Sequence, residues 1–364
     1  MKLAIVHEWL NTYRGAERML VEILKLYPQA DLHALIHNRE NLRNTPLEGR
    51  QVKTSFLQKI PRVEHLYRGL LPIMPLAIEH MDVHQYDVVL SISHAVSHGI
   101  KTHKQQTHIA YVCTPMRYAW HLQDDYLHLH HLDKPIIGSA ARLTLGLMRR
   151  WDAASSARAD HLLAISNWTA QKIRQVWGRE SEVIHPPVDV NRFKPAIKRD
   201  AFYLHVSHLV PYKMTAEIVR AFNELKLPLV IIGDGPELPT LQKLAKENVK
   251  LLGHQTDDVI ADFMNKAKAF VYMAVEDFGI VMVEAQAAGC PVIAYAKGGA
   301  AEIVRDGETG LLFEEQSARG LSRAIQQFEE IKMKSEAAHQ NAVRFSSKRF
   351  EVEFLNYMNK VIAK

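Results

Sequence analysis

The stretch EDFGIVMVE sets two carboxylates, Glu276 and Glu284, with seven residues between them, and puts Gly279 where a strand should hand over to a helix. A helix starting there presents its first amides, at Phe278, Gly279 and Ile280, to anionic or polar ligand groups. Glu276 would stand at the strand end and Glu284, two turns on, would project toward the same side. Ligands of an open α/β sheet lie beyond the carboxyl ends of its strands, so the pair suits sugar hydroxyls on Glu276 and a ribose on Glu284. Two surface carboxylates beside a helix start would show the same spacing. Upstream, SHLVPYK ends a strand near Ser207 and brings in Lys213, a cation suited to a diphosphate leaving group, or equally a solvated lysine. In IIGDGPE, residues 231–237, Gly233 and Gly235 permit close backbone approach, as in a ligand loop or a plain connecting turn.

The elements that must position these residues alternate between strand and helix. Leu3 to Val6 reads as a strand, Asn11 to Gly15 as a turn, and Glu17 to Leu26 as a helix with Leu20, Ile23 and Leu24 on one face. Buried-strand runs follow at Val88 to Ile92, Ile109 to Val112 and Leu162 to Ile165. A second series runs through Phe202 to Ser207, Leu229 to Ile232, Lys250 to Leu252, Ala269 to Tyr272, Pro291 to Ala294 and Leu311 to Phe313. Such alternation predicts two doubly wound parallel sheets. Between the series, IHPPVD at 184–189 bars a continuous helix and places the hinge. This gives a first domain over 1–187 and a second over 188–346. The last segment, from 347, carries Phe350, Phe354, Tyr357, Met358 and Val361 at helical spacing.

Composition narrows the classes. The 364 residues are 47% hydrophobic and 23% charged, which supports folded domains and excludes a disordered chain. No apolar run reaches the ~18 residues of a spanning helix. MKLAIVHEWL reads as a first strand rather than a targeting segment, so a cytoplasmic protein is expected. Cys113 and Cys290 are too few for a disulfide framework or a zinc knuckle. Residues 1–187 hold 22 Lys and Arg against 17 Asp and Glu, while 188–364 hold 23 of each, so the net +5 lies in the first half with 16 of the 20 histidines. That half suits an anionic partner. A nucleic acid is not expected, because no dense basic tract or interleaved stacking aromatics accompany the charge. A dinucleotide oxidoreductase is disfavoured because no GxGxxG follows the first strand.

In their order, the blocks HEWLNTYRGAERML, SHAVSHGIKT, TPMRYAW, SNWTAQKI, EVIHPPVDVNRF, SHLVPYK, IIGDGPE, EDFGIVMVEAQAAGCPVIAY and GGAAEIVRDGETGLLF resemble glycosyltransferase family 4 over nearly the whole chain. The resemblance implies the GT-B fold, two Rossmann-like doubly wound parallel-sheet domains facing a central cleft, with helix 347–364 packing back on the first. It implies a hexosyltransferase that works from a nucleotide sugar with retention of configuration and needs no metal or other cofactor. By the same resemblance Glu276 looks like the carboxylate on the donor sugar, Glu284 like the ribose carboxylate, Lys213 like the diphosphate lysine, and Gly15 like the glycine that admits donor phosphates. The base-binding loop falls at 253–256, with Gly253 and His254. UDP-glucose is the favoured donor and GDP-mannose its rival. The acceptor would be a saccharide or a polyprenyl-diphosphate-linked saccharide in polysaccharide synthesis.

Two positions depart from the family pattern. His208 stands where relatives usually carry the arginine that clamps the diphosphate, and Cys113 precedes TPMRYAW where many carry a histidine. His94 is then the first-domain candidate for contact with donor or acceptor, or else a packed or solvated histidine. These departures leave a second reading, a GT-B scaffold or binding subunit that transfers sugar poorly. Phe56 to Met81 and Leu143 to Trp151 are apolar and basic together, which suits an anionic leaflet at the inner face of a membrane as well as packed helices with a solvated face. His128, His130 and His131 lack a spacing shared with carboxylates and read as a loop rather than a metal site.

Overall fold

The protein is described by a computed structural model covering residues 1–120, 123, 127, 134–195 and 198–363; the cluster His128, His130 and His131 lies outside the described residues. Residues 1–185 and 351–364 form one compact unit and residues 186–350 the other.

The first unit is built on seven parallel strands: β1 (Leu3–Leu10), β2 (Asp31–His37), β3 (Val52–Thr54), β4 (Val88–Ser93), β5 (Thr107–Val112), β6 (His161–Ala164) and β7 (Glu182–Val183). Their spatial order is β3-β2-β1-β4-β5-β6-β7, so the winding reverses between β1 and β4. Both faces of the central strands are covered, and this is why Leu3, Ala4, Ile5 and Val6 are all buried instead of alternating. The longer helices are α1 (Gly15–Leu26), α2 (Pro135–Ser156) and α3 (Asn167–Trp177). Glu17 accepts the Arg14 amide at 2.8 Å and so closes the first turn of α1, while Ser166 caps α3 by accepting the Thr169 amide at 2.9 Å.

The second unit carries six parallel strands: β8 (Tyr203–Val206), β9 (Leu229–Ile232), β10 (Val249–Leu251), β11 (Ala269–Tyr272), β12 (Val292–Tyr295) and β13 (Gly310–Phe313). Their order, β10-β9-β8-β11-β12-β13, reverses between β8 and β11. Its helices are α4 (Thr215–Leu225), α5 (Asp257–Lys266), α6 (Ile280–Ala287), α7 (Ala318–Glu330) and α8 (Ser335–Val343). Each sheet is therefore doubly wound, and each has one crevice outside the carboxyl ends of its two central strands.

The last helix, α9 (Ser347–Ile362), returns to the first unit from residue 351. Phe354 packs at 6.4 Å from the ring of Tyr27 and 6.2 Å from that of Tyr111, and Lys360 pairs with Glu182 at 2.9 Å.

β2 was absent from the sequence reading because its apolar run DLHALIH is broken by Asp31, His33 and His37. His33 is buried all the same, 3.1 Å from the Tyr86 hydroxyl, with its pKa lowered to about 4 by burial. Residues 56–81 form short turns at Phe56–Lys59, Val63–Leu66, Tyr67–Ile73 and Met74–Glu79, because Pro61, Pro72 and Pro75 prevent one continuous helix.

Candidate functional site

At the reversal point of the second sheet, β8 leads into the turn that carries Lys213, and β11 ends at Tyr272, four residues before Glu276. Lys213 is not solvated. Its Nζ donates to the Tyr272 hydroxyl at 3.0 Å and to Glu276, and the Tyr272 hydroxyl donates to Glu276 Oε1 at 2.7 Å. The side chains of Lys213 and Glu276 are only 13% and 16% exposed. Burial opposes the charged ammonium, but Glu276 and the neighbouring tyrosines outweigh it and hold the Lys213 pKa above the ordinary lysine value. Burial and the Glu276 charge keep Tyr272 un-ionised. An ammonium has three N–H donors. Among the described residues two are spent on Tyr272 and Glu276, which leaves one over.

His205 braces this corner from β8. Its Nδ1 lies 2.9 Å from the Val271 carbonyl on β11, and its Nε2 lies 2.8 Å from Ser207 Oγ and 3.2 Å from Thr215 Oγ1. Burial lowers its pKa to about 4, so it stays a neutral strut beside the cation.

Gly279 caps α6 at φ +101°, in the left-handed region that favours glycine, and a Cβ there would meet the Met282 side chain at 2.2 Å. Gly299 donates to the Glu276 carbonyl at 2.9 Å, and a Cβ on it would stand 1.8 Å from the Phe278 carbonyl. The two glycines thus fix the backbone of 276–279 against the start of α6, which places the buried Phe278 just before the cap and Ile280 as the helix's first residue.

Glu284, in α6, points at Arg192, whose Nη2 lies 3.4 Å from its Oε1 and whose Nη1 lies 3.1 Å from Asp257. His208 is partly exposed, with Nδ1 donating to the Asp234 carbonyl at 2.6 Å. Gly253 accepts the Gly233 amide at 2.9 Å, and His254 beside it is exposed.

The remaining sequence candidates belong to the first unit. Gly15 opens α1, and His94 follows β4 directly. Cys113 follows β5, its amide bonded to the Ser93 carbonyl at 2.7 Å. His94 Nδ1 stands 2.7 Å from Glu8 Oε2. The structure therefore joins Lys213 with Glu276, sets Glu284 on the helix that follows them, and places Gly15 and His94 at the other sheet's reversal point. Among the described residues no group of three His, Cys, Asp or Glu side chains is arranged to hold a metal ion.

Three residues went unnoticed in the sequence. Tyr272 reads as an ordinary strand aromatic, and Arg192 as a linker charge. Glu8 had a signal: a carboxylate inside an apolar strand is almost never buried without dedicated partners.

Residues 13–192 match the Glycosyltransferase Family 4 family and residues 188–345 match Glycosyl transferases group 1. The chain belongs to the family 4 type of glycosyltransferases. Among curated members, it is 32% identical over 198 residues to the GDP-mannose-dependent alpha-(1-6)-phosphatidylinositol monomannoside mannosyltransferase of Mycobacterium tuberculosis, covering 46% of this chain and 51% of that protein. It is 32% identical over 149 residues to the N-acetyl-alpha-D-glucosaminyl L-malate synthase of Bacillus anthracis, covering 38% and 37%. The chain thus aligns with about half or less of these curated relatives. Its fold matches Anabaena HepE in complex with UDP, at TM-score 0.72 and 20% identity over 99% of this chain and all of that one. It likewise matches sucrose-phosphate synthase from Thermosynechococcus elongatus, at TM-score 0.74 and 16% identity over the whole of both. The two Rossmann-like units are those of the GT-B glycosyltransferases.

The buried pair makes a stability prediction. Lys213→Met or Glu276→Gln alone leaves a buried charge or its partners uncompensated and costs about 3–5 kcal/mol, whereas the double variant costs much less than the sum. Urea unfolding of the four proteins checks this, and strictly additive losses would show that the two groups do not act as a pair.

Proposed function

We propose that this chain is a retaining hexosyltransferase that uses a nucleotide sugar without a metal ion. The observation that carries the reading is the Lys213–Tyr272–Glu276 constellation at the second sheet's reversal point. In this reading the unspent Lys213 N–H binds a diphosphate oxygen, Glu276 orients the sugar hydroxyls and Glu284, steadied by Arg192, takes the ribose. The acceptor hydroxyl attacks the anomeric carbon on the face the nucleotide leaves. The bond from that carbon to the phosphate oxygen breaks, the bond to the acceptor oxygen forms, and the hydroxyl proton passes to the departing phosphate. In this reading Gly15 admits donor phosphates, His94 contacts donor or acceptor, and His208, Gly253 and His254 serve the nucleotide. A GT-B scaffold or binding subunit that transfers sugar poorly is the other reading, and a nucleotide-release assay separates the two.

UDP-glucose is the donor favoured here, in keeping with the fold match to HepE, a structure of which holds UDP-glucose. GDP-mannose is the second reading, favoured by the GDP-mannose-dependent relatives of higher sequence identity. Calorimetric titration with UDP, GDP, ADP and their sugars in excess EDTA, with a nucleotide-release assay, is expected to show one nucleotide binding and slow release from its sugar. Binding of none, or only with added divalent metal, would overturn the proposal.

The acceptor is proposed to be a saccharide or a polyprenyl-diphosphate-linked saccharide met at an anionic membrane surface. On α2, Leu143 and Leu147 are 69% and 58% exposed beside the exposed Arg142 and Arg150, and a groove of about 480 Å³ runs along them to Trp120. Arg149 takes no part as a surface charge, because it turns inward to the Ala119 carbonyl at 2.9 Å. Leu66, Ile73 and Leu76 are exposed in the same unit near Lys59, Arg62 and Arg68. No described helix is long and apolar enough to cross a membrane. In vesicle flotation the protein is expected to rise with phosphatidylglycerol vesicles and not with phosphatidylcholine, and Leu143→Asp with Leu147→Asp to abolish it. Flotation indifferent to lipid charge would remove the membrane from the proposal.

A further inference from the structure

Glu8 lies in β1 with no exposure, at the reversal point of the first sheet. Its Oε1 receives the backbone N–H groups of His94, Ala95, Val96 and Ser97 at 2.9, 2.8, 3.0 and 3.1 Å, together with the Ser93 hydroxyl at 3.3 Å. Converging amides of this kind form an anion-binding nest. Here the nest after β4 is filled by a carboxylate of the protein itself, so its amides are not available to a substrate phosphate. The other oxygen, Oε2, faces His94 Nδ1 at 2.7 Å.

The His94 ring is held on three sides. Trp9 stands edge-on to it at 4.6 Å and 89°, His7 lies 5.7 Å away at 61°, and Glu8 Oε2 lies 2.7 Å from Nδ1. Its side chain keeps 18% exposure, so the ring is not sealed from ligand. Its charged neighbours are Glu8 and His7 on β1, Glu17 on α1 and Arg117 at the helical turn Arg117–Trp120. Glu8 and Glu17 favour a cation there, while Arg117 and burial oppose it. His7 is kept neutral chiefly by burial.

We infer that Glu8 is a positioning residue whose buried carboxylate shapes the 94–97 turn and holds His94 with both ring nitrogens protonated, so that Nε2–H serves as a fixed donor to an anionic phosphate oxygen of the substrate. The inference rests on the nucleotide-sugar reading only for the identity of that oxygen. It explains how the first unit supplies positive charge after spending its amide nest internally. Burial by itself would raise the Glu8 pKa, but the His94 pairing, His7 and the amides outweigh it and hold Glu8 ionised. Burial by itself would likewise lower the His94 pKa, and Glu8 outweighs it, so that the folded value stands above 6.5. The charge on His94 therefore persists to higher pH than that of a free imidazole and is lost as pH rises through the raised value.

Two-bond proton–nitrogen NMR on protein carrying nitrogen-15 histidine reads this directly, with His94→Gln identifying the resonance. His94 is expected to titrate above 6.5 in the native protein and at lower pH in Glu8→Gln, whose amide oxygen can still accept the four amides. A native His94 that titrates below 6.5, or an unchanged titration in Glu8→Gln, would overturn the inference. If Glu8→Gln does not fold, the native titration alone decides. A calorimetric arm then tests the substrate oxygen. Affinity of the native protein for UDP or GDP, whichever it takes, should fall as pH rises through the His94 pKa read by NMR, and Glu8→Gln should bind about tenfold more weakly at pH 6 and lose that dependence, whereas an affinity that ignores the His94 titration would overturn the assignment to phosphate. Failure of the native protein to bind any nucleotide would count against the proposed function and leave the NMR result standing.

Discussion

A buried lysine and a buried carboxylate, closed through a tyrosine hydroxyl, set the terms for the second unit. Taking two charges out of water costs several kcal/mol per ion, and the attraction between them offsets this only if their remaining donors and acceptors are also satisfied. Tyr272 supplies a further partner to both Lys213 and Glu276, which leaves one Lys213 N–H over and fixes the end of β11 relative to the turn after β8. The neutral His205 behind them, the left-handed Gly279 and the close approach at Gly299 all follow from the need to hold these two chain segments at one spacing.

The first unit solves a similar problem at the equivalent place in its own sheet. There too the strand order reverses at its centre, and a carboxylate, here with no exposure at all, faces a basic side chain beyond the strand ends. The chemistry differs in what the carboxylate holds: Glu8 gathers backbone amides and a histidine, while Glu276 gathers a lysine and a tyrosine. In both units the doubly wound sheet supplies a crevice, and a few charged side chains decide what it can recognise.

The parallel sheets were legible because strands buried on both faces are unbroken apolar runs, as in Leu229–Ile232 and Ala269–Tyr272, which end where the sequence placed them. β2 was not, because Asp31 and His33 interrupt its run and their partners, Tyr86 and Lys53, are far away in sequence. The carboxylates of EDFGIVMVE and the lysine of SHLVPYK could be singled out by type and by resemblance. Their direct pairing could not, since it depends on β8 and β11 being neighbours. Glu8 was hidden for the same reason: its five donors lie 85 to 89 residues away along the chain.

In the proposed mechanism Lys213 keeps one N–H for a phosphate oxygen while its other two hold Tyr272 and Glu276. The most direct measurement compares the affinity of the nucleoside diphosphate with that of its monophosphate, in the native protein and in Lys213→Met. The account predicts that the native protein prefers the diphosphate by about ten- to a hundredfold, the effect of a charge-assisted hydrogen bond of roughly 1.5–3 kcal/mol, and that Lys213→Met loses this preference. A preference that survives Lys213→Met unchanged would contradict it.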